Sequence, residues 1–236
     1  TGAAGMVVRW FLVVSGAGLC MGSAMAQVTN GLVLRWEFEG GLGTDGSGNG
    51  RSATVSGVDV VGGVRGSDGV YFDGSTSDYA RYDFGDIPSG EFTIAFWMMG
   101  SSIADECMVS YFQGEDWLRV FFVPGLRLDI DNKPFVNSGA EFRDGEWHHG
   151  AVSWERVNGT MKVFKDGIWV GTNTCAIDQW IPDGGALVVG QEQDSFGSGF
   201  SAGYKGVLDD FVIYDRVLTD DEIGEVGFPD GSAISG

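Results

Sequence analysis

The chain has 236 residues, of which 43% are hydrophobic and 20% are charged. Its 33 acidic residues outnumber the 14 basic ones, which gives a formal net charge of −19. The length allows one large domain or two small ones, and the negative charge argues against nucleic acid and other polyanions as partners.

Residues 1–26 have the pattern of a secretory signal peptide with a few residues upstream of its start. Met6 and Arg9 open a short basic segment, residues 10–19 are largely apolar, and residues 24–26 (AMA) form a small-residue cleavage site. The apolar run is shorter than the roughly 20 residues that a membrane helix needs. We therefore predict a secreted or cell-surface protein, with the periplasm as an alternative location, and no membrane span in the mature chain.

Residues 27–228 have the composition of a single all-β domain, with frequent turn signals and little helical periodicity. Apolar residues alternate along residues 32–38, and residues 92–98 form a continuous apolar run typical of a central strand. Further strands are predicted at residues 70–72, 79–82, 108–112, 118–123, 126–130, 147–154, 161–165, 187–189 and 207–214. So many short strands predict a two-sheet antiparallel β-sandwich.

Turn and helix-cap signals indicate where several of the predicted elements begin and end. Asn158-Gly159 predicts a hairpin turn, and Asp166-Gly167 predicts the next turn of the same meander. Residues 219–222 (TDDE) form a capping box, which predicts one short helix after the last strand. Residues 229–236 have the composition of a linker or a truncated tail.

Two cysteines, Cys107 and Cys175, remain after removal of the signal peptide. An even number of cysteines in an oxidising compartment allows one disulfide. Two buried free thiols that act as small apolar residues explain the same pair equally well.

Several local patterns resemble laminin-G-like and pentraxin jelly rolls of the concanavalin A-like class. They are residues 144–149 (DGEWHH), 153–154 (SW), 164–167 (FKDG) and 208–218 (LDDFVIYDRVL), which follow one another in the order typical of these domains. The resemblance covers nearly all of residues 27–227 and implies a jelly roll. Pentraxins also join two neighbouring strands by a disulfide, and Ala95 and Ala151 stand at the matching positions here.

Residues 190–200 (GQEQDSFGSGF) resemble the calcium loop of pentraxins. The resemblance implies that Glu192 and Asp194 give side-chain oxygens to calcium and that Gln193 gives its backbone carbonyl. Calcium usually takes six to eight oxygens, so a second loop must contribute. The family uses an Asp-Asn pair at the position of Glu115-Asp116, of which Asp116 is the favoured ligand.

One calcium ion is expected, because residues 201–205 lack the Glu and Gln that hold a second ion in pentraxins. A ligand would complete the coordination shell. Tyr111, Trp117 and Tyr204, together with Trp180, are candidate rings for stacking on a sugar, and one of these four is expected to be exposed at the site. The alternative is an acidic loop that is simply a solvated surface.

The function predicted from these patterns is non-catalytic. The chain lacks a Glu-x-Asp-x-x-Glu strand, a serine nucleophile elbow and a His-Glu-x-x-His motif. The leading hypothesis is a calcium-dependent module that binds a glycan or another oxygen-rich extracellular ligand. The alternatives are a structural or adhesive module that binds another protein and, third, a glycoside hydrolase.

Overall fold

A computed structural model describes residues 28–85, 87–123, 125–134, 139–229 and 231. The predicted signal peptide and most of the predicted tail lie outside these residues. The strands are β1 (Leu32–Trp36), β2 (Thr54–Ser56), β3 (Asp59–Gly62), β4 (Asp68–Asp73), β5 (Tyr79–Gly85), β6 (Glu91–Met99), β7 (Glu106–Phe112), β8 (Asp116–Val123), β9 (Gly125–Ile130), β10 (Lys133–Pro134), β11 (His148–Glu155), β12 (Thr160–Lys165), β13 (Ile168–Thr174), β14 (Gly185–Val189), β15 (Glu192–Ser195), β16 (Ser198–Ser201) and β17 (Lys205–Tyr214). Two 3-10 turns, Glu39–Gly41 and Val64–Gly66, and one helix, α1 (Asp220–Gly227), complete the described elements.

Two antiparallel sheets form the predicted sandwich. The first sheet has the order β13-β12-β11-β6-β17-β4-β3, and β1 also pairs with β17. The second sheet has the order β10-β9-β8-β7-β14-β5-β2, while β15 and β16 form a separate hairpin. The predicted jelly-roll fold with one short helix is confirmed.

The core lies between the two sheets. Side chains that alternate along each strand meet there, because successive residues of a strand point to opposite faces. Leu118, Val120 and Phe122 of β8 and Ile94 and Phe96 of β6 are at most 2% exposed and belong to one apolar cluster. The intervening residues of β8, Arg119 and Phe121, therefore lie on the outer face of the second sheet.

The capping box at the start of α1 is present as predicted. The Thr219 hydroxyl accepts a hydrogen bond from the Glu222 N–H, and the Glu222 carboxylate accepts one from the Thr219 N–H. Arg216 also donates two hydrogen bonds to Glu222, at 2.8 and 2.7 Å. These contacts fix α1 at the end of β17.

The two alanines that stand at the pentraxin disulfide positions are cross-strand neighbours in the first sheet. Ala95 of β6 and Ala151 of β11 are directly opposite each other and fully buried. They pack in a small apolar cluster with residues that include Ile223 of α1. Cys107 and Cys175 are free thiols, so of the two equally weighted interpretations the structure favours free thiols, although Cys107 is buried and Cys175 is only half-buried.

The outer face of the second sheet carries a row of cross-strand neighbours that are polar except for one valine. Asp129, Arg119, Ser110, Val188 and Arg81 are successive cross-strand neighbours on β9, β8, β7, β14 and β5. The β15–β16 hairpin packs on this row of residues. No helix among the described residues is long and apolar enough to cross a membrane.

Candidate functional site

The predicted calcium loop forms the β15–β16 hairpin, which is anchored to the second sheet by two buried glutamines. The Gln193 side chain is fully buried and donates to the Ala186 carbonyl at 2.9 Å, while its own Oε1 accepts the Gly197 N–H at 2.9 Å. Gln191 donates to the Ser75 carbonyl at 2.6 Å. Buried amides that are hydrogen-bonded in this way hold a segment rigidly. The Gln193 side chain is therefore a structural anchor of the loop.

The hairpin turn is fixed by an arginine from the sheet below it. Arg81 of β5 donates to the Gly197 carbonyl at 2.6 Å and pairs with Asp83. Gly197 has φ +56°, and a Cβ atom there would lie 2.2 Å from the Arg81 guanidinium carbon. A side chain at this position would adopt a strained φ and would displace Arg81, so the turn favours glycine.

Arg119 of β8 stands at the centre of the candidate site. Its Nη1 lies 3.2 Å from Asp116 Oδ2 and 3.2 Å from Glu192 Oε1. Its Nη2 lies 3.4 Å from Asp129 Oδ2 and 2.8 Å from Asn132 Oδ1. We call Arg119 with Asp116, Asp129 and Glu192 the acidic cluster.

The acidic cluster brings together the two loops that the sequence predicted to share an ion. Asp116 begins β8 and Glu192 begins β15, and both are half-buried. The second oxygen of Glu192 accepts a hydrogen bond from the Ser201 hydroxyl at 2.5 Å. Asp194 and Glu115 are exposed beside them.

The surroundings of Asp116 shift its pKa upward. Burial raises its pKa first, and the charges of Glu192, Asp194 and Glu115 raise it further, although Arg119 acts in the opposite direction. Burial is therefore the main cause of the shift, and three neighbouring carboxylates add to it. A cation near these carboxylates would lower the pKa of Asp116.

Sequence reasoning missed Arg119 and Asp129. Both residues alternate with buried apolar neighbours, Leu118 and Val120 for Arg119 and Leu128 and Ile130 for Asp129, and this alternation places them on the outer face. The register of β8 with β9 sets them side by side. Asp129 is further held by Arg127, whose Nε and Nη2 lie 3.0 and 3.1 Å from its two oxygens.

The predictions for Tyr111 and Tyr204 as exposed stacking rings are wrong. Both side chains are fully buried because they face the core between the sheets. The Tyr111 hydroxyl donates to the Pro182 carbonyl and accepts the Gly185 N–H, both at 2.8 Å. The Tyr204 hydroxyl lies 3.3 Å from the Met99 and Val207 carbonyls.

Trp117 and Trp180 keep surface in contact with solvent. Trp117 follows Asp116, is half-buried against the core, and donates from Nε1 to the Gln113 carbonyl at 3.0 Å. Trp180 is 56% exposed but lies against Gly90, at the start of β6. Only Trp117 of these two is adjacent in sequence to the acidic cluster.

The donor chemistry of the site suits calcium, which prefers carboxylate and carbonyl oxygens. Among the described residues, no group of three acidic, histidine or cysteine side chains is already arranged around a metal position. Arg119 instead joins Asp116 and Glu192. Asp116 and Glu192 thus share one nitrogen of Arg119, and Asp194 is among the charges that raise the pKa of Asp116.

Comparison with known proteins gives one family and several relatives. The Laminin_G_3 family model, described as the Concanavalin A-like lectin/glucanases superfamily, matches residues 72–224. The Sushi, von Willebrand factor type A, EGF and pentraxin domain-containing protein 1 of Mus musculus is 33% identical over 138 residues, which are 56% of this chain and 4% of that protein. The chain thus spans only a small part of this curated relative.

Solved structures share the fold. A heptameric SAP-like pentraxin from Limulus polyphemus has a TM-score of 0.60 and 24% identity, over 66% of this chain and 80% of that chain. Domain 4 of AbnA, an extracellular arabinanase from Geobacillus stearothermophilus solved in complex with arabinotriose, has a TM-score of 0.66 and 17% identity, over 83% of this chain and 98% of that chain. At these identities the likeness shows the architecture of the sandwich.

Proposed function

Because the chain belongs to the concanavalin A-like lectin/glucanases superfamily, we propose that it is a secreted, non-catalytic module that binds carbohydrate or a similar oxygen-rich ligand with the help of one calcium ion. The observation that carries this proposal is the convergence of Asp116 and Glu192 on one nitrogen of Arg119. Two loops far apart in sequence thereby present their carboxylates at one place on the surface.

The proposed ion is held by residues of both loops. Asp116, Glu192 and Asp194 contribute carboxylate oxygens and Gln193 its backbone carbonyl, while Glu115 lies at the rim. A bound calcium ion supplies positive charge and open coordination positions for ligand oxygens. Arg119 then gives up Asp116 and Glu192 and keeps the contacts of its other nitrogen with Asp129 and Asn132.

Sugar hydroxyls are the preferred ligand chemistry at this site. The net charge of −19 repels anionic ligands, whereas neutral hydroxyls bind calcium without that repulsion. Trp117, beside Asp116, offers a partly exposed ring that can contact a pyranose face. The complex of the arabinanase domain with arabinotriose supports a saccharide ligand for this fold.

The absence of catalysis is part of the proposal. Glycoside hydrolysis needs one carboxylic acid and one carboxylate that both face the scissile bond. In the acidic cluster, Asp129 is only 5% exposed and is held by two arginines. One oxygen of Glu192 accepts a hydrogen bond from the Ser201 hydroxyl, and the other is the proposed calcium ligand. These contacts favour a binding role for the carboxylates.

Calcium titration tests the ion directly. Protein stripped with a chelator is titrated by calorimetry, and we expect one ion to bind with a Kd on the order of 10⁻⁴ M, as in open extracellular sites. Asp194→Asn should weaken binding, whereas Asp59→Asn, an exposed aspartate on β3 of the other sheet, should not. No heat and no shift in Tm with calcium would rule out the ion.

Glycan binding tests the function separately. A glycan array is probed in calcium and in chelator, with the wild type and Asp194→Ala. We expect signals that need calcium and are lost in the variant. Array signals that persist unchanged in chelator and in Asp194→Ala would overturn the calcium-mediated mode. Capture of a protein partner without any glycan signal would favour the structural or adhesive alternative.

A further inference from the structure

A groove lies on the outer face of the first sheet, on the opposite side of the sandwich from the acidic cluster. Its volume is about 530 Å³, which is in the range of sites that hold small organic molecules. Its floor consists of Tyr71, Val207 and Met99, which are neighbours across β4, β17 and β6. An adjacent residue on each of these strands belongs to the core, so the floor residues face away from the core.

The segment that follows β6 forms one wall of the groove. Residues 100–103 line it together with Gly145 from the turn before β11. The Gly145 N–H donates to the Gly100 carbonyl at 3.2 Å, which ties the two segments together. Ile103 is 91% exposed at the rim. The groove therefore offers an apolar floor and an apolar rim to a ligand.

Arg143 lies behind this wall and is not paired with any carboxylate among the described residues. Its Nη1 donates to the carbonyl of Ser102, a lining residue, at 3.3 Å, and its guanidinium lies 5.3 Å from the centroid of the Phe122 ring. Its Nε and Nη2 are buried without a hydrogen-bond partner among those residues. Buried N–H groups normally have an acceptor, and a buried charge without a counter-charge is costly. The wall thus carries a positive charge that the protein does not compensate.

Lys205, at the start of β17, is a second cation at the groove. Its side chain is exposed and lines the groove beside the floor. Asp73 lies directly opposite on β4, but its carboxylate accepts a hydrogen bond from the Ser75 N–H at 2.6 Å. Within the part of the chain that the structure describes, Lys205 forms no ion pair. Its ammonium group is therefore available to a negatively charged ligand.

These two cations set the groove apart from the rest of the surface. The chain has a formal net charge of −19, and an anion is repelled by most of such a surface. At this groove, however, an unpaired lysine stands beside apolar residues and an unpaired arginine lies behind the wall. A ligand with one carboxylate and an apolar body matches both features.

We propose that this groove binds a small amphipathic carboxylate. The apolar body of the ligand lies on Tyr71, Met99 and Val207 and is covered at the rim by Ile103, because removing apolar surface from water stabilises the complex. The carboxylate pairs with the Lys205 ammonium group. Arg143 acts through the wall, where its charge attracts the carboxylate without direct contact.

Calorimetry with matched acids and amides tests this proposal. The probes are hexanoate and 3-phenylpropionate, and the neutral comparisons are hexanamide and 3-phenylpropanamide. The protein is stripped of metal and then dialysed free of chelator, because chelators are carboxylates themselves and a calcium ion could bind the probe. The result therefore does not depend on the proposed calcium site. We expect at least one acid to bind, and its amide to bind roughly tenfold more weakly or not at all.

Two variants at the groove should change the affinity for the acid in opposite directions. Lys205→Met should weaken binding roughly tenfold, because it removes the partner of the carboxylate. Asp73→Asn removes a nearby negative charge and keeps an acceptor for the Ser75 N–H, so it should strengthen binding. Both positions are exposed, and both variants should keep the wild-type Tm.

Lys162→Met is the matched control, because it also removes one lysine but at a site outside the groove, where Lys162 pairs with Asp220. It should bind the acid like the wild type. The proposal is overturned if neither acid binds at millimolar concentration or if the amides bind as tightly as the acids. It is equally overturned if Lys205→Met binds like the wild type, or if the two lysine variants lose the same affinity.

Discussion

Asp116 and Glu192 accept hydrogen bonds from the same nitrogen, Nη1 of Arg119, at 3.2 Å each. Through this one guanidinium the β7–β8 turn and the β15–β16 hairpin are joined. Any change in the charge between the two carboxylates should therefore affect how firmly the hairpin is held.

Arg119→Met removes the cation that joins the two loops. The carboxylates of Asp116, Glu192 and Asp129 then repel one another, and the free energy of unfolding should fall by about 1–3 kcal/mol in chelator. Roughly millimolar calcium should restore most of this loss if the ion takes the same place. Urea unfolding with and without calcium measures both effects.

Lys162→Met is the control for Arg119→Met, since Lys162 pairs with Asp220 on another surface and should change stability little in either condition. Unchanged stability of Arg119→Met in chelator would show that the guanidinium does not join the loops. A loss that calcium fails to restore would count against the proposed ion.

Gly197→Ala should loosen the β15–β16 hairpin. The new Cβ would lie 2.2 Å from Arg81, at a φ of +56° that side chains rarely adopt. We expect a loss of about 2–4 kcal/mol, from strain and from the displaced arginine together. Thermal unfolding measures it.

Gly184→Ala separates the two causes. Gly184 has a similar positive φ of +79°, but a Cβ atom at this position would have no neighbouring atom within 4 Å. This variant should lose only about 1 kcal/mol. Equal losses at both positions would mean that the Arg81 contact adds nothing to the hairpin.

His149 should make the fold sensitive to acid. Its ring is buried, its Nδ1 has no hydrogen-bond partner among the described residues, and burial, with a smaller effect from Arg65, lowers its pKa from 6.5 to about 3. Because the folded pKa is depressed, the neutral form is favoured in the native state. Its contribution is complete above pH 6.5 and is lost as the pH falls toward 3.

The loss should approach about 1.4 kcal/mol per pH unit in that window. His149→Gln should flatten this part of the stability curve, and its difference from the wild type should be constant above pH 7, where neither side chain titrates. Urea unfolding at a series of pH values provides the measurement. A variant curve parallel to that of the wild type down to pH 4 would exclude His149 as the cause.

Cysteines placed at Ala95 and Ala151 should form a disulfide. The two residues are directly opposite on β6 and β11, and closing the loop between them should stabilise the fold by about 2–4 kcal/mol. Both single variants serve as controls. If the double variant keeps two free thiols under oxidising conditions, the register of these strands is not as described.

Much of the sandwich could be predicted because its strands are patterned by burial. β6 is apolar along nearly its whole length, and β8 and β9 alternate between the core and the outer face. β13 was predicted only as the strand after the Asp166-Gly167 turn, without bounds, because it is largely exposed and its side chains follow no alternation. A strand without a buried face leaves little trace in the hydrophobic pattern.

The candidate site was only partly predictable. The resemblance to pentraxins predicted that Asp116 and Glu192 lie at one site. It did not predict Arg119 and Asp129, because their contact depends on the register between β8 and β9, which cannot be read from either strand alone. The sequence also did not indicate that the Tyr204 side chain points into the core. Its position after a loop suggested a surface, whereas its ring fills the core between Phe72 and Phe122.

The free thiols of Cys107 and Cys175 have a practical consequence. With alanines at the pentraxin disulfide positions and no bond between these two cysteines, the described part of the chain holds together without any covalent cross-link. Burial raises the pKa of the Cys107 thiol well above its ordinary range and that of Cys175 to about 11, so neither thiol ionises readily at neutral pH. The folded state of the described part of the chain should therefore be the same under reducing as under oxidising conditions.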